Sequence, residues 1–369
     1  AGLEYRKEIP FQQVYFTGIV RDKQGRKMSK SLGNSPDLLA MIDNFGADAV
    51  RFGVLIASPA GNDLLFDESS LEQGRNFNNK LWNALKLVKM WEGRKTNFDN
   101  ESDENFAVNW FQNRLNEARA EVDGLIRQFR LSEALKTIYS LIWDDFCSWY
   151  LEWVKPGFEQ PIDKAVYEKT VTYFEQLLQL LHPYMPFISE EIYHLLKDQQ
   201  DDLCTKQFPE LSATNNTVVN EGEILKKVIS AIRDARNKNQ IKPKDVIKLQ
   251  IQTDTVENYQ PIESILAKQV NAESIRYTKD VIANTIVVAV EKDKFFIESE
   301  KELDATVLKE ELLKDLTHQQ NFLQSVIKKL SNERFVQNAK PEVIELERKK
   351  QADAEARIKT IEESLKSLA

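Results

Sequence analysis

With 369 residues, 42% of them hydrophobic and 29% charged, the chain has the make-up of a globular protein with room for two or three domains of ~100–200 residues. No apolar run reaches the ~18 residues of a membrane span, so a membrane partner is not expected. A net charge of −8 by itself argues against a nucleic-acid partner, although the distribution of charge matters more than its sum. Two distant cysteines, Cys147 and Cys204, give no CxxC spacing for a structural metal, which fits a reducing cytoplasm.

Taken in order, Val14–Val20 reads as a buried strand. It feeds a basic stretch, Gly25-Arg26-Lys27-Met28-Ser29-Lys30-Ser31-Leu32-Gly33-Asn34. Lysines supply point charges, serine hydroxyls and successive backbone N–H groups can cradle phosphate oxygens, and flanking glycines permit the turns that a closing loop needs. A short Lys/Ser run alone is more often a solvated loop; the whole string with its flanks is far more specific. Ser35 is expected to cap a helix over Leu38–Asn44, with Pro36 and Asp37 in its first turn and Gly46 as its stop. A second helix covers Ala47–Ser58 and breaks at Pro59–Asp63.

Ser69–Glu92 has helical spacing. Leu71, Phe77, Leu81, Leu85 and Val88 form its apolar stripe. Arg75, Asn79, Asn83 and Lys86 recur on one polar face, which could read unpaired bases or simply face water. After an acidic linker, Asp99–Glu104, four helical patterns follow: Phe106–Gln128, Leu131–Trp153, Ile162–Leu181 and Pro186–Lys197. Ile142, Trp143, Phe146, Trp149, Tyr150 and Trp153 are read as core.

A polar connector, Gln199–Asn220, leads into a small α/β unit. It comprises a basic helix over Glu221–Asn239 with Arg236 outward, a strand over Val246–Thr253, a helix over Ile262–Val270, and strands over Ser274–Tyr277 and Thr285–Ile297. Residues 224–248 carry eight basic side chains against two acidic, a credible phosphate-backbone contact or a solubilising face. Leu312, Leu316, Leu323, Val326 and Leu330, then Ile344, Gln351, Ala354, Ile358, Ile361 and Leu365, give two helices with 3-4 spacing. Ser331–Lys340 turns between them, which predicts an antiparallel coiled-coil hairpin.

The basic string resembles the KMSKS signature of class I aminoacyl-tRNA synthetases. Phe146–Glu152 and Leu181–Glu191 are similar to the anticodon-binding domain shared by that family's members for aliphatic amino acids. The tail, Leu330–Val336 and Pro341–Ile344 with Glu347-Arg348, resembles the arm of the valine-specific members. The resemblance implies a mainly α multi-domain chain: the end of a Rossmann-like catalytic domain over 1–62, an anticodon-binding helical bundle over 63–208, a small α/β unit over 209–302, and a coiled-coil tRNA-binding arm over 303–369.

It further implies ATP with Mg²⁺ as cofactor and valine and valine tRNA as partners. Lys27 and Lys30 become catalytic cations within an ATP site of Lys27, Met28, Ser29, Lys30 and Ser31. Arg75, Asn79 and Asn83 become anticodon contacts, while Lys328, Lys329, Arg334 and Lys340 face the tRNA corner. No metal site is expected, and nothing specifies an oligomer, so a monomer is the expectation. No His-x-Gly-His string is present, and the family's amino-acid pocket is not represented, so this stretch is expected to be inactive by itself. An isoleucine-specific member, or a non-enzymatic RNA-binding protein built from the same domains, are the alternatives.

Overall fold

The computed structural model describes residues 2–58, 61–97, 105–197, 201–282, 285–299, 305–332 and 341–367. The break at Pro59 and Ala60, the linker at 99–104, and the turn residues 333–340, with Arg334 and Lys340, lie outside the described residues. Two compact units are present, 1–219 and 220–369.

The first unit opens with α1 (Gly2–Arg6) and β1 (Val20–Arg21), the latter paired in parallel with β2 (Leu64–Leu65). The long buried strand expected over Val14–Val20 is not formed: Val14 and Phe16 are 69% and 80% exposed. Apolar residues make a strand only where a neighbour supplies a ladder and a covering layer, and here β2 offers two residues of pairing. Tyr15 instead stacks on Phe129, with ring centroids 5.3 Å apart.

α2 (Leu38–Phe45) starts where expected, at Leu38, but Ser35 is not its cap. Asp37 is the cap, its carboxylate accepting from the Leu39 N–H at 2.9 Å. α3 (Ala47–Ile56) then packs against α4 (Ser69–Glu92). The α4 stripe is the predicted one: Leu71, Phe77, Leu81, Leu85 and Val88 are all buried, each worth about 1.5–3 kcal/mol of transfer. Gly74 lets the two helices approach, because a Cβ there would stand 2.7 Å from the Ala49 carbonyl oxygen.

The rest of this unit is helical: α5 (Phe106–Arg127), α6 (Leu131–Ser140), α7 (Leu151–Val154), α8 (Lys164–Leu181) and α9 (Pro186–Leu196). A short parallel pair, β3 (Lys95–Thr96) with β4 (Ile162–Asp163), ties the end of α4 to the start of α8. Between α6 and α7 the chain winds as a π-helix over Leu141–Tyr150, where the Ser148 hydroxyl donates to the Trp143 carbonyl at 2.8 Å. The wider turn keeps Ile142, Phe146 and Tyr150 on one face, all buried. Trp143 and Trp149, read as core, are only half-buried.

α3 is locked to α9. Buried Asp48 accepts the Phe187 and Ile188 N–H groups, at 3.3 and 2.6 Å, at the first turn of α9, where unsatisfied donors and the helix dipole favour a carboxylate. Arg51 donates to the Tyr184 and Pro183 carbonyls at 3.0 and 2.9 Å. These bonds hold α3 and α9 together within the first unit.

The second unit carries α10 (Asn216–Lys238), β5 (Ile247–Gln252), α11 (Glu263–Val270), β6 (Ala272–Thr278), β7 (Ile286–Val290) and β8 (Asp293–Ser299). Its sheet runs β6-β5-β8-β7; β5 and β6 are parallel, and the other pairs are antiparallel. The single strand expected over Thr285–Ile297 is a hairpin, because Glu291 turns the chain at a φ of 55°. Arg236, expected outward, is buried, with its guanidinium donating to the Val270, Lys242 and Asp245 carbonyls. Beyond the sheet, α12 (Ala305–Leu330) and α13 (Pro341–Ser367) pack on each other around buried Val326, Ala354 and Ile361.

Candidate functional site

The basic stretch forms an ordered loop between β1 and α2. A turn brings Arg21 and Lys27 into an isolated antiparallel bridge, with the Asp22 N–H donating to the Arg26 carbonyl at 2.9 Å. Ser29 caps a single 3₁₀ turn, Lys30–Leu32: its hydroxyl accepts from the Leu32 N–H at 3.2 Å and lies 3.1 Å from the Ser31 hydroxyl. Gly33 ends that turn at a φ of 64°, where a side chain would be strained.

Asp22 is buried at the base of the loop and sits at the centre of its hydrogen bonding. The Asn34 side chain, above all, and then the Arg26 and Gln24 groups hold its carboxyl down at about 2. Lys23 is drawn away to Asp67 at 3.1 Å, and Arg21 pairs with Asp63. Lys27 and Lys30 remain exposed, with no carboxylate within 4 Å among the described residues. Two unpaired ammonium groups and two hydroxyls on one tight turn are suited to an anionic, polyphosphate-like ligand.

Of the α4 face, Asn79 and Asn83 are exposed. Arg75 is engaged: it pairs with Glu72 at 2.6 Å and lies 5.8 Å from the centre of the Phe45 ring. It borders an open cleft of about 450 Å³ between α2 and α4, lined by Asp37, Met41, Asn44 and Glu68 among others. Sequence reasoning missed Lys80, which covers the Trp143 ring at 5.1 Å where Trp143 stacks with Tyr139. No spacing rule links residues so far apart.

In the second unit Lys328 is exposed, whereas Lys329 and Lys350 both bind Glu347, at 2.8 and 3.0 Å. Those two ammonium groups hold the Glu347 carboxyl below the usual range. Half of the eight basic side chains at 224–248 are paired with carboxylates: Lys226 with Glu223, Lys227 with Glu291, Lys238 with Asp234, and Lys248 with Glu273.

One cluster of metal-ligand type has no sequence pattern to announce it. His182, Glu190 and Cys204 have donor atoms within 4.8 Å of one another, as do Glu190, His194 and Asp202. Their hydrogen bonds are those of a structural knot. Ser189 donates to the Met185 carbonyl at 2.8 Å and so accepts from His182 Nδ1 at 2.9 Å, while Glu190 accepts the Leu203 N–H at 2.6 Å. The other cysteine, Cys147, is buried, which pushes its thiol up to about 12 and leaves it unreactive.

Comparison with known proteins accounts for these parts. Residues 1–67 match the family model of class I tRNA synthetases (I, L, M and V), and residues 108–251 match that of the anticodon-binding domain of tRNA ligase. These matches place the chain among the class I tRNA synthetases. Residues 304–369 match the tRNA binding arm of valyl tRNA synthetase. Over its whole length the chain corresponds to the C-terminal part of valine–tRNA ligases. It is 46% identical to that of Parabacteroides distasonis and 47% identical to that of Phocaeicola vulgatus, in each case over 100% of this chain and 42% of the relative. It is 34% identical to that of Fusobacterium nucleatum over 99% of this chain and 43% of the relative. The chain thus spans less than half the length of the curated relatives it matches.

Proposed function

We propose that this chain supplies the ATP-phosphate loop and the tRNA grip of a valine–tRNA ligase, which activates valine with ATP and transfers it to valine tRNA. The observation that carries the reading is the tight turn at 27–31, where Lys27 and Lys30 stand exposed and free of carboxylates beside two serine hydroxyls. In this role Lys27 and Lys30 neutralise the charge that develops on the departing pyrophosphate, while Ser29, Ser31 and the backbone at Met28 offer donors to phosphate oxygens. The loop presents cations rather than free carboxylates, so the Mg²⁺ that accompanies ATP is carried by the nucleotide and not by this segment.

The chain divides by function into the catalytic-domain end at 1–62, the anticodon-binding bundle at 63–208, the α/β unit at 209–302 and the coiled-coil arm at 303–369. Arg75, Asn79 and Asn83 face the anticodon. Lys328 and Lys329, with Arg334 and Lys340 at the turn, meet the outer corner of the tRNA. The match of residues 304–369 to the valine-specific arm favours valine over isoleucine. Among the described residues no helix is long and apolar enough to cross a membrane, and a cytoplasmic monomer is the setting proposed.

Aminoacylation assays test this reading. The chain alone is expected to bind valine tRNA yet form no valyl-adenylate. A full-length ligase carrying it is expected to lose at least tenfold in adenylate formation on Lys30→Ala. Valine transfer by the chain alone, or an unaffected Lys30→Ala enzyme, would overturn it.

A further inference from the structure

From Asp22 to Asn34 the loop holds one acidic residue, Asp22, and four basic ones. An unconstrained carboxylate so close in sequence would be drawn to Lys27 or Lys30 and would compete with any phosphate for them. The structure prevents this. Asp22 Oδ1 accepts the N–H groups of Gln24 and Arg26, at 3.0 and 2.9 Å. Its Oδ2 accepts from Arg26 Nε at 2.7 Å and from Asn34 Nδ2 at 3.0 Å.

Asn34, at the far end of the loop, turns its whole amide inward. Nδ2 also donates to the Lys27 carbonyl at 3.3 Å, and Oδ1 accepts the Ser29 N–H at 2.9 Å. A carboxylate at one end of the loop and a carboxamide at the other therefore grip each other, and between them they fix the backbone on both sides of Met28.

We infer that Asp22 and Asn34 are positioning residues: they touch no phosphate, but their clasp sets where Lys27, Ser29 and Lys30 stand before a nucleotide arrives. The inference rests on the reading of this loop as the ATP-phosphate loop. A preformed loop does not have to be ordered by its ligand, and the clasp keeps the nearest carboxylate from neutralising the two lysines.

Two measurements test it. In the chain itself, amide hydrogen exchange at Arg26, Ser29 and Leu32 is expected to be slow, and to speed up at least tenfold in Asn34→Ala and in Asn34→Asp, which sets two carboxylates against each other. The double variant Asp22→Asn/Asn34→Asp rebuilds an amide–carboxylate pair in reverse and is expected to recover part of that protection; a merely destabilising pair of changes would not. In a full-length valine–tRNA ligase, ATP–pyrophosphate exchange is expected to show the same order, with kcat and the KM for ATP affected and the KM for valine unchanged.

Unaltered exchange protection in the single variants, or a double variant no better than Asn34→Asp, would overturn the clasp. If protection responds as expected while neither Lys27→Ala nor the clasp variants alter ATP–pyrophosphate exchange, the phosphate-loop reading fails and the positioning role falls with it.

Discussion

Asp22 shows how one side chain can organise a loop, through bonds to Gln24, Arg26 and Asn34. Hydrogen bonds, led by that from Asn34, favour its ionised form and hold the carboxyl at about 2, below the ordinary 3.8. For a carboxylate depressed in this way, the contribution to folded-state stability is present above pH 4 and is lost as pH falls through 4 towards 2. At pH 3 an ordinary aspartate is roughly 90% protonated, whereas Asp22 is expected to be about 90% ionised. Carboxyl-carbon NMR decides this: a midpoint near 2 that climbs in Asn34→Ala agrees, and a midpoint near 4 that ignores Asn34 does not. The lysines and serines of the loop were legible in the sequence because they are contiguous. The clasp was not, because its two halves are twelve positions apart and meet only once the intervening turns have formed. Arg236 was misread for a related reason: its polar character placed it outward, but three carbonyls converge on it in the folded unit and satisfy a buried guanidinium.

Among the elements, the α3–α4 pair carries the most direct consequence for the loop, since α2 and α3 follow it in the chain. Gly74 lies where a Cβ would meet the Ala49 backbone at 2.7–2.8 Å, and backbone cannot rotate out of the way. Gly74→Val is therefore expected to destabilise the first unit by about 1–3 kcal/mol, the usual cost of overpacking. Chemical denaturation followed by tryptophan fluorescence measures it; an unchanged midpoint would contradict the close packing. Helix periodicity made α4 readable nearly to the residue, because an amphipathic stripe is a local property. The π-helical segment was unreadable, since the same aromatic pattern fits an ordinary helix until neighbours select the wider turn. The strand expected at Val14–Val20 failed because strand formation depends on a partner, and local composition does not say how much ladder a partner offers.

Across the whole molecule, charge is where sequence and structure part most clearly. The basic window at 224–248 finds carboxylates at Glu273 and Glu291, far along the chain, and so retains less free positive charge than its composition suggests. The three matched family segments, by contrast, were recognisable because each rests on contiguous motifs. At this scale the proposed function is a two-site grip on valine tRNA, by the anticodon-binding bundle and by the arm. Equilibrium binding at near-physiological salt tests it most directly, comparing valine tRNA with an anticodon-substituted transcript and the whole chain with a version ending at Glu302. At least tenfold weaker binding is expected for the substituted transcript, with a further loss without the arm. Equal binding to every RNA, unaffected by removing the arm and governed by salt alone, would contradict it.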